Sequence, residues 1–470
     1  MRKEYDVIVA GAGTAGAIAG IAAARTGAKT LVIDQYGSIG GILQLGMSLF
    51  GVSDGEGYLT LGGIGGELLE RLHQVGGGTK TSHDSLFSSV TGHDPEMTKL
   101  TLVDMACQSN VEFLLHTFVA DVVMDGTRIK GVVVANKGGL QEIRGKCFVD
   151  CTGDADITAR SKGEFTVGRE GDSLMQPVSA VFRIGGIDFE ALFDYIEQHP
   201  EEMNAPEGFT GTAHTIESLR SIPGISIVGF KNTITKARAA GDFDIPHDVL
   251  GLNTLPDRNE VAVNVTRVHG IDGTNPEDVT RAEIETQRQT MQVMLFLKKY
   301  IPGFETARII SAPYQVGIRE TRHIKGAYVL NQNDVLEGRD FEDQIGRGAY
   351  PLDVHDVKPG SEMLGRVVKG NSTTLHTIFK SYGIPARCLI PLGVENVTVG
   401  GRSISATHAA AGSIRGQSVC MATGHAAGTM AALAAMKGIS PLNLPISELQ
   451  AVLRSQGAIL ERSIKIDSIG

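Results

Sequence analysis

The sequence predicts an α/β fold in which a parallel sheet is assembled from both ends of the chain, with an α+β unit inserted between them. Three observations carry this expectation. An apolar strand pattern at Tyr5–Ala10 runs directly into Gly11-Ala12-Gly13-Thr14-Ala15-Gly16, then an Ala-rich helix over Ala17–Thr26 and a second strand, Lys29–Ile33, that ends in Asp34. Two further buried-strand patterns, Lys146–Cys151 and Val394–Gly400, also lead into glycine. Between them, strand patterns at Val178–Ile184 and Glu260–Val268 and an amphipathic helix over Asp278–Tyr300 lack the regular strand–helix alternation of the ends. At 470 residues the chain exceeds one ordinary core, and the expected division is 1–164, 165–385 and 386–470, with the first and last parts forming one domain.

Each element of the N-terminal unit has a mechanical reason. A continuous run of β-branched and apolar residues suits a parallel strand buried on both faces. Gly11 makes the tight turn, Gly13 allows close approach of a pyrophosphate, and Gly16 allows the helix to pack on the strand. The helix N-terminus, with Thr14 and Ala15 in its first turn, offers unpaired N–H groups and a positive dipole end to phosphates. Asp34, beside Gln35, is placed to accept hydrogen bonds from a ribose diol. Together these features read as a Rossmann-type dinucleotide site and do not separate NAD from FAD.

The residues just beyond the fingerprint do separate them. Residues 36–41 read YGSIGG, and here the sequence resembles the glutathione-reductase-like flavoproteins. The resemblance implies that Gly40 and Gly41 lie along the pyrophosphate and ribityl chain of FAD. It implies that Val119, in the strand and meander over residues 111–135, contacts the adenine. Thr152-Gly153-Asp154 resembles the ATG-type motif of these proteins, with Cys151 standing where Ala is usual. Gly401 and Arg402 resemble the second FAD-contacting element, followed by a helix expected to begin near Gly412 and Ser413 and to run toward Met436, its N-terminus facing the flavin. With Gly62–Glu67, Val316–Gly326 and Pro385–Pro391, the arrangement resembles a bacterial FAD-dependent oxidoreductase family distantly related to fumarate-reductase flavoproteins. That likeness covers both ends of the chain and is thin between Gly185 and Ala307. Its implied partners are a small-molecule substrate and an external electron donor or acceptor; a homo-oligomer is left open.

Composition narrows the functional classes. Hydrophobic residues make up 42% and charged residues 20% of the chain, the balance of a globular enzyme. A net charge of −10 without long single-sign runs argues against nucleic acid. No signal-peptide pattern opens the chain, and the apolar stretch Ala426–Met436 is short for a membrane span, so a cytoplasmic location is expected. Cys107, Cys147, Cys151, Cys388 and Cys420 are scattered, with no CxxC or cluster-ligand spacing. The pairs His83/Asp84 and His93/Asp94 lack a third ligand at helical spacing, so no metal is expected. Gly76–Gly92 reads as a polar loop.

The catalytic candidates are few. Arg319 and Arg322 suit a carboxylate or oxyanion, with a structural network through Glu320 as the competing reading. His408, just before the flavin-side helix, suits proton transfer, while His323, His376 and Tyr382 are weaker options. The favoured activity is hydride transfer between flavin N5 and a small polar substrate, a hydroxy compound or an activated C=C. Flavin monooxygenase chemistry and a non-catalytic FAD-binding protein stand as alternatives.

Overall fold

The computed structural model describes residues 4–256, 258–365 and 373–466. Its main sheet contains β1 (Glu4–Ala10), β2 (Thr30–Ile33), β3 (Glu112–Leu114), β4 (Phe118–Asp125), β5 (Arg128–Asn136) and β6 (Gly139–Asp150), in the order β3-β2-β1-β6-β5-β4. The last strand of the sheet, β7 (Val397–Val399), returns from the far end of the chain and pairs parallel with β6. Ala10 pairs with Ile33 and Asp150, and Asp150 with Val399, so four parallel strands end along one line. Such a line of carboxyl ends is where open α/β sheets bind ligands.

Helix α1 (Thr14–Arg25) lies against this sheet, where Gly20 would bring a Cβ within 2.4 Å of Val32. Toward the end of the chain, α2 (His408–Ile414) is followed by α3 (Gln417–Lys437). The expected single helix from Ser413 is therefore corrected. It breaks at Arg415–Gly416, where Gly416 lies so close to Tyr350 that a Cβ would come within 2.5 Å of that side chain. Gly412 and Ser413 consequently sit in the last turn of α2 and not at a helix start.

Helix α3 crosses α1 backbone to backbone. A Cβ on Gly424 would stand 2.2 Å from the Ala15 carbonyl oxygen, and one on Gly428 2.1 Å from that of Ala19. By length and composition α3 could cross a membrane, but 89% of its most apolar 18-residue window is buried inside the fold.

The inserted unit has its own core, running from Phe182 to Ala307. Five antiparallel strands form its sheet in the order Ser226–Gly229, Leu250–Thr254, Glu260–Asn264, Val181–Gly185 and Arg308–Ser311. The helix Pro276–Tyr300 covers it with Val293, Phe296 and Leu297, and Asn275 caps the helix by accepting from the Glu277 and Asp278 N–H groups. Residues from Ile324 to Ile390 pack into the first core instead, because the strands in this stretch lie against α2 and α3. The stretch Gly76–Gly92, expected as a loop, holds the strands Ser82–Asp84 and Ser88–Thr91. These pair with each other, and the second also pairs with Leu49–Phe50.

The α1–α3 crossing leaves no room for a side chain. Gly428→Val should therefore destabilise the fold by about 1–3 kcal/mol or more, seen as a lower thermal unfolding midpoint, whereas Gly438→Ala, at the exposed end of α3, should cost less than that.

Candidate active site

The glycine loop after β1 combines two crowded positions with one open one. Gly11 has φ +89°, and a Cβ there would stand 2.4 Å from the Cys151 carbonyl oxygen; one on Gly16 would stand 1.8 Å from that of Gly11. Around Gly13 a Cβ would meet nothing within 4 Å. Gly13 therefore faces open space at the start of α1, and that helix has no side-chain cap. Thr14 is buried and its hydroxyl donates to the Gly40 carbonyl at 3.3 Å. Gly40 donates back to the Ala12 carbonyl at 2.7 Å, and Gly41 lies against Gly13, where a Cβ would be 2.9 Å from its Cα. Ala15 is buried beneath α3.

Asp34 sits half-buried at the end of β2, accepting from the Ala12 and Tyr36 N–H groups. Burial raises its carboxyl above the usual value against these bonds. Gln35 is exposed beside it, and Val119 is buried in β4. At the end of β6, Asp150 is fully buried and receives the Thr152 hydroxyl at 2.7 Å and the Thr158 N–H at 2.9 Å. The Thr152 side chain thus holds the loop in shape. Gly153, at φ +85°, lies against the Arg402 guanidinium. Arg402 donates to Asp154 at 2.7 Å, as does the Thr321 hydroxyl. Gly401, at φ +93°, is held by its N–H to the Thr423 hydroxyl at 3.0 Å.

The expected catalytic residues separate. Arg322 donates to the Asp154 carbonyl at 2.9 Å and to Asp156 at 3.0 Å, and stacks over Phe165. This is a structural tie within the 152–156 loop, which corrects its assignment as a substrate clamp. Ser413 is likewise taken up by packing: its hydroxyl donates to the Tyr350 carbonyl and accepts from the Tyr382 hydroxyl at 2.8 Å. Gly412 packs on the Asp353 carbonyl. The helix start on which their expected cofactor contacts rested does not lie at these residues.

His408 is tied to Glu320, the neighbour of Arg319 in the chain. The His408 Nδ1 donates to Glu320, 2.8 and 2.9 Å from its two oxygens, which leaves Nε2 free of that bond. Glu320 is 1% exposed and also receives the Gln176 N–H at 3.2 Å. Burial alone would raise its carboxyl, but the hydrogen bonds and charges of His323 and His408 hold it at about 2. Arg319 points the other way, donating through Nη1 to the Pro177 carbonyl at 2.7 Å and the Ser179 hydroxyl at 2.8 Å. It has no carboxylate partner among the described residues. Burial, with Arg267 and Arg415 nearby, pushes it down to about 9, so it stays charged at neutral pH and favours an anion beside it.

Around Arg319 lies a polar cluster that the sequence did not reveal. Arg267, 1% exposed, donates to Asp356 at 3.1 Å and to the His355 Nδ1 at 2.7 Å. Arg415 pairs with Asp353, which also takes the Tyr350 hydroxyl at 3.1 Å and faces the His355 Nε2 at 3.3 Å. Burial and the Arg319 charge hold His355 well below its usual pKa, and therefore neutral. Gln176 spans the two groups, its N–H on Glu320 and its Oε1 accepting from the His355 N–H at 3.1 Å. Each of these partners lies far from Arg319 in sequence, so no local motif points to them.

The metal candidates are otherwise occupied. Asp84 faces the His214 Nε2 at 3.1 Å, Asp94 caps the helix Pro95–Gln108, and His93 bonds to Thr98 and the Met47 carbonyl.

Comparison with known proteins decides the family. The model of the family described as FAD dependent oxidoreductase matches residues 6–453. The chain belongs to that family. It is 23% identical over 238 residues to digeranylgeranylglycerophospholipid reductase 1 of Methanococcoides burtonii, covering 49% of this chain and 56% of that protein. It is 28% identical over 163 residues to thiamine thiazole synthase of Methanococcus aeolicus, covering 33% and 57%. The chain thus spans little more than half the length of these curated relatives. Among solved structures, a geranylgeranyl bacteriochlorophyll reductase-like protein from Thermoplasma acidophilum is similar at a TM-score of 0.46 and 11% identity, over 97% of this chain and 84% of that one. The protein is accordingly an FAD-dependent oxidoreductase, and FAD is its cofactor. The open space at Gly13, the crowded glycines around it and the uncapped start of α1 fit that group.

Gly13→Val should leave the unfolding midpoint of the apoprotein nearly unchanged, since the added Cβ meets no protein atom, yet the purified protein should be colourless by absorbance because the side chain fills cofactor space. Glu320, ordinarily 4.5 and held at about 2, binds a proton less readily folded than unfolded. Its stabilisation is therefore complete above pH 4.5 and is lost as pH falls toward 2. Acid unfolding followed by circular dichroism should show a shallower decline over that range in Glu320→Gln than in wild type.

Proposed function

We propose that this flavoenzyme transfers a hydride between flavin N5 and a small polar substrate, a hydroxy compound or an activated C=C, with Arg319 gripping an oxygen function and His408 moving the accompanying proton. One observation carries the reading. A cation without a carboxylate partner among the described residues and an imidazole oriented by a buried carboxylate meet at adjacent residues of one stretch, Arg319 and Glu320, with Gln176 and Pro177 fixing both.

FAD, when bound, supplies the hydride chemistry. Gly11, Gly13, Thr14, Ala15 and Gly16 would hold its pyrophosphate with Gly40 and Gly41. Asp34 and Gln35 would hold the ribose, Val119 the adenine side, and Thr152, Gly153, Asp154, Gly401 and Arg402 the loop approaching the flavin. The same stretch that carries Arg319 reaches the cofactor loop at Tyr314, whose hydroxyl donates to the Gly41 carbonyl at 3.0 Å.

Glu320 holds the His408 Nδ1, so Nε2 is the ring nitrogen left to exchange a proton with the substrate, and the Glu320 carboxylate stabilises the imidazolium formed when it takes one up. In the oxidising direction His408 accepts the hydroxyl proton as the carbon gives up its hydride. In the reducing direction it returns that proton. Arg319 presents a planar cation suited to a two-point grip on a carboxylate or oxyanion. An external electron donor or acceptor is needed to complete the cycle.

Anaerobic mixing of the oxidised enzyme with hydroxy acids and alcohols, and of the reduced enzyme with enoates, tests the reading through the flavin absorbance. At least one class should change the redox state, and failure of every compound would favour a non-catalytic FAD protein. Against a responding substrate, Arg319→Lys should keep its FAD and lose about 1.5–3 kcal/mol of transition-state binding, roughly a 10–100-fold fall in kcat/KM. Full activity in that variant would remove Arg319 from the substrate site.

A further inference from the structure

Residues 312–315 follow the edge strand Arg308–Ser311 of the inserted sheet and cross to the cofactor domain. Their backbone makes no hydrogen bond to other backbone among the described residues. The chain is fixed again just beyond them, where the Val316 N–H donates to Glu283 at 2.7 Å and Gly317 exchanges hydrogen bonds with Ser179. A stretch held at both ends but not along its length opens more readily than the elements around it. Tyr314 ties its middle down. The Tyr314 hydroxyl accepts from the Gln315 side-chain amide at 3.3 Å and donates to the Gly41 carbonyl at 3.0 Å.

Through these contacts Tyr314 spans the cofactor site. A Cβ on Gly41 would stand 2.9 Å from the Gly13 Cα and 3.4 Å from the Thr14 nitrogen, so the carbonyl that Tyr314 holds belongs to a residue seated on the start of α1. The Tyr314 ring also meets Tyr36 edge to face, with centroids 6.0 Å apart, and the Tyr36 N–H donates to Asp34 at 2.7 Å. One side chain from the inserted unit thus touches the glycine loop directly and, through Tyr36, the acid that follows β2. Tyr36 and Tyr314 remain 39% and 45% exposed, so each keeps ring surface for a ligand.

We propose that Tyr314 and Tyr36 form a clasp over FAD, closing on its pyrophosphate and ribose end, and that the cofactor is released only when the Tyr314–Gly41 bond opens. The proposal rests on the placement of FAD at Gly13 and Asp34. Tyrosine suits the role, because its rigid ring covers a large area and its hydroxyl supplies a polar tie. The two halves of the clasp come from different units: Tyr36 is fixed by the cofactor domain, whereas Tyr314 rides on the stretch that has no backbone bonds of its own. Opening therefore requires only the loss of one hydrogen bond and one ring contact, and leaves the glycine loop in place.

Release of FAD from the holoenzyme, followed by the rise of free-flavin fluorescence on dilution, tests the inference. Tyr314→Phe keeps the ring contact and loses the bond, and should release FAD severalfold faster; Tyr314→Ala loses both and should release it about tenfold faster or more. Tyr36→Ala should also speed release, and adding it to Tyr314→Ala should gain less than the product of the two single effects, since they share one contact. The thermal midpoint of the apoprotein should stay unchanged in these variants because both side chains are exposed. Wild-type release in Tyr314→Ala would overturn the clasp, as would a lowered apoprotein midpoint with unchanged release, which would make Tyr314 a tie between domains only. Gly13→Val separates the two layers: if that variant stays yellow, the FAD placement falls and the clasp with it, whereas a colourless Gly13→Val beside wild-type release in Tyr314→Ala strikes the clasp alone.

Discussion

The contact on which the rest of this molecule depends is the crossing of α1 and α3, made possible by two positions without a Cβ. Gly424 and Gly428 lay the backbone of α3 on the carbonyls of Ala15 and Ala19. One helix begins at the glycine loop and the other comes more than 390 residues later, so the crossing closes a very long loop. That cost grows only with the logarithm of loop length, and it is offset by the apolar burial of both helices, whose residues are almost all inside the first core. With α3 fixed, β7 is held in register on β6, Arg402 reaches Asp154, and α2 brings His408 to Glu320.

The polar groups gathered there are buried and yet balanced. Burial alone would raise Asp353, but His355 and Arg415 hold it far below the usual carboxylate range. Asp356 pairs with Arg267 at 3.1 Å. His355 accepts from Arg267 at Nδ1, so its Nε2 carries the proton and faces Asp353. It bridges an arginine and a carboxylate and is not free to act as a base. His408 differs because its one bonded nitrogen is turned to Glu320. Arg319 is the cation of the group that makes no direct salt bridge among the described residues, with Asp353 acting on it only at longer range. Its hydrogen bonds go to the neutral Pro177 carbonyl and Ser179 hydroxyl, which leave its charge uncompensated at short range.

The N-terminal cofactor unit is legible in the sequence because its signals are local: strand, glycines, helix and acid all fall between Tyr5 and Asp34. Gly11 and Gly16 are packed as their spacing implies, and Asp34 stands at the end of β2. The glycine loops at Gly40, Gly153 and Gly401 are legible for the same reason, each being a short turn after a strand. The partners of the catalytic candidates are not. From sequence Glu320 reads as a rival for Arg319, yet it serves His408, 88 residues away, and Arg322 is taken by Asp156, 166 residues away. The start of α3 is obscured because small residues dominate from Ala409 to Ala435. What breaks the helix is the contact of Gly416 with Tyr350, and a local pattern holds no trace of a contact so distant in the chain. The strands within Gly76–Gly92 are hidden by polar composition, since they are short and find their pairing partner at Leu49–Phe50.

Arg319 and the carboxylate that holds His408 lie on one piece of backbone. Arg319 and Glu320 are neighbours whose side chains diverge, one toward Pro177 and Ser179, the other inward to His408. Ser179 and Gly317 exchange backbone hydrogen bonds at 2.6 and 3.2 Å, locking the two segments together just before this pair. Gln176 then ties the Glu320 side to the His355 side through its own N–H and side-chain oxygen. A shift of this stretch would therefore move Arg319 and Glu320 together, while His408 is carried separately on α2 and tied to the stretch through its bond to Glu320. In the proposed reaction proton and hydride transfer would both fall steeply with misplacement, and the Glu320–His408 bond is what would link the relay to the stretch that carries Arg319.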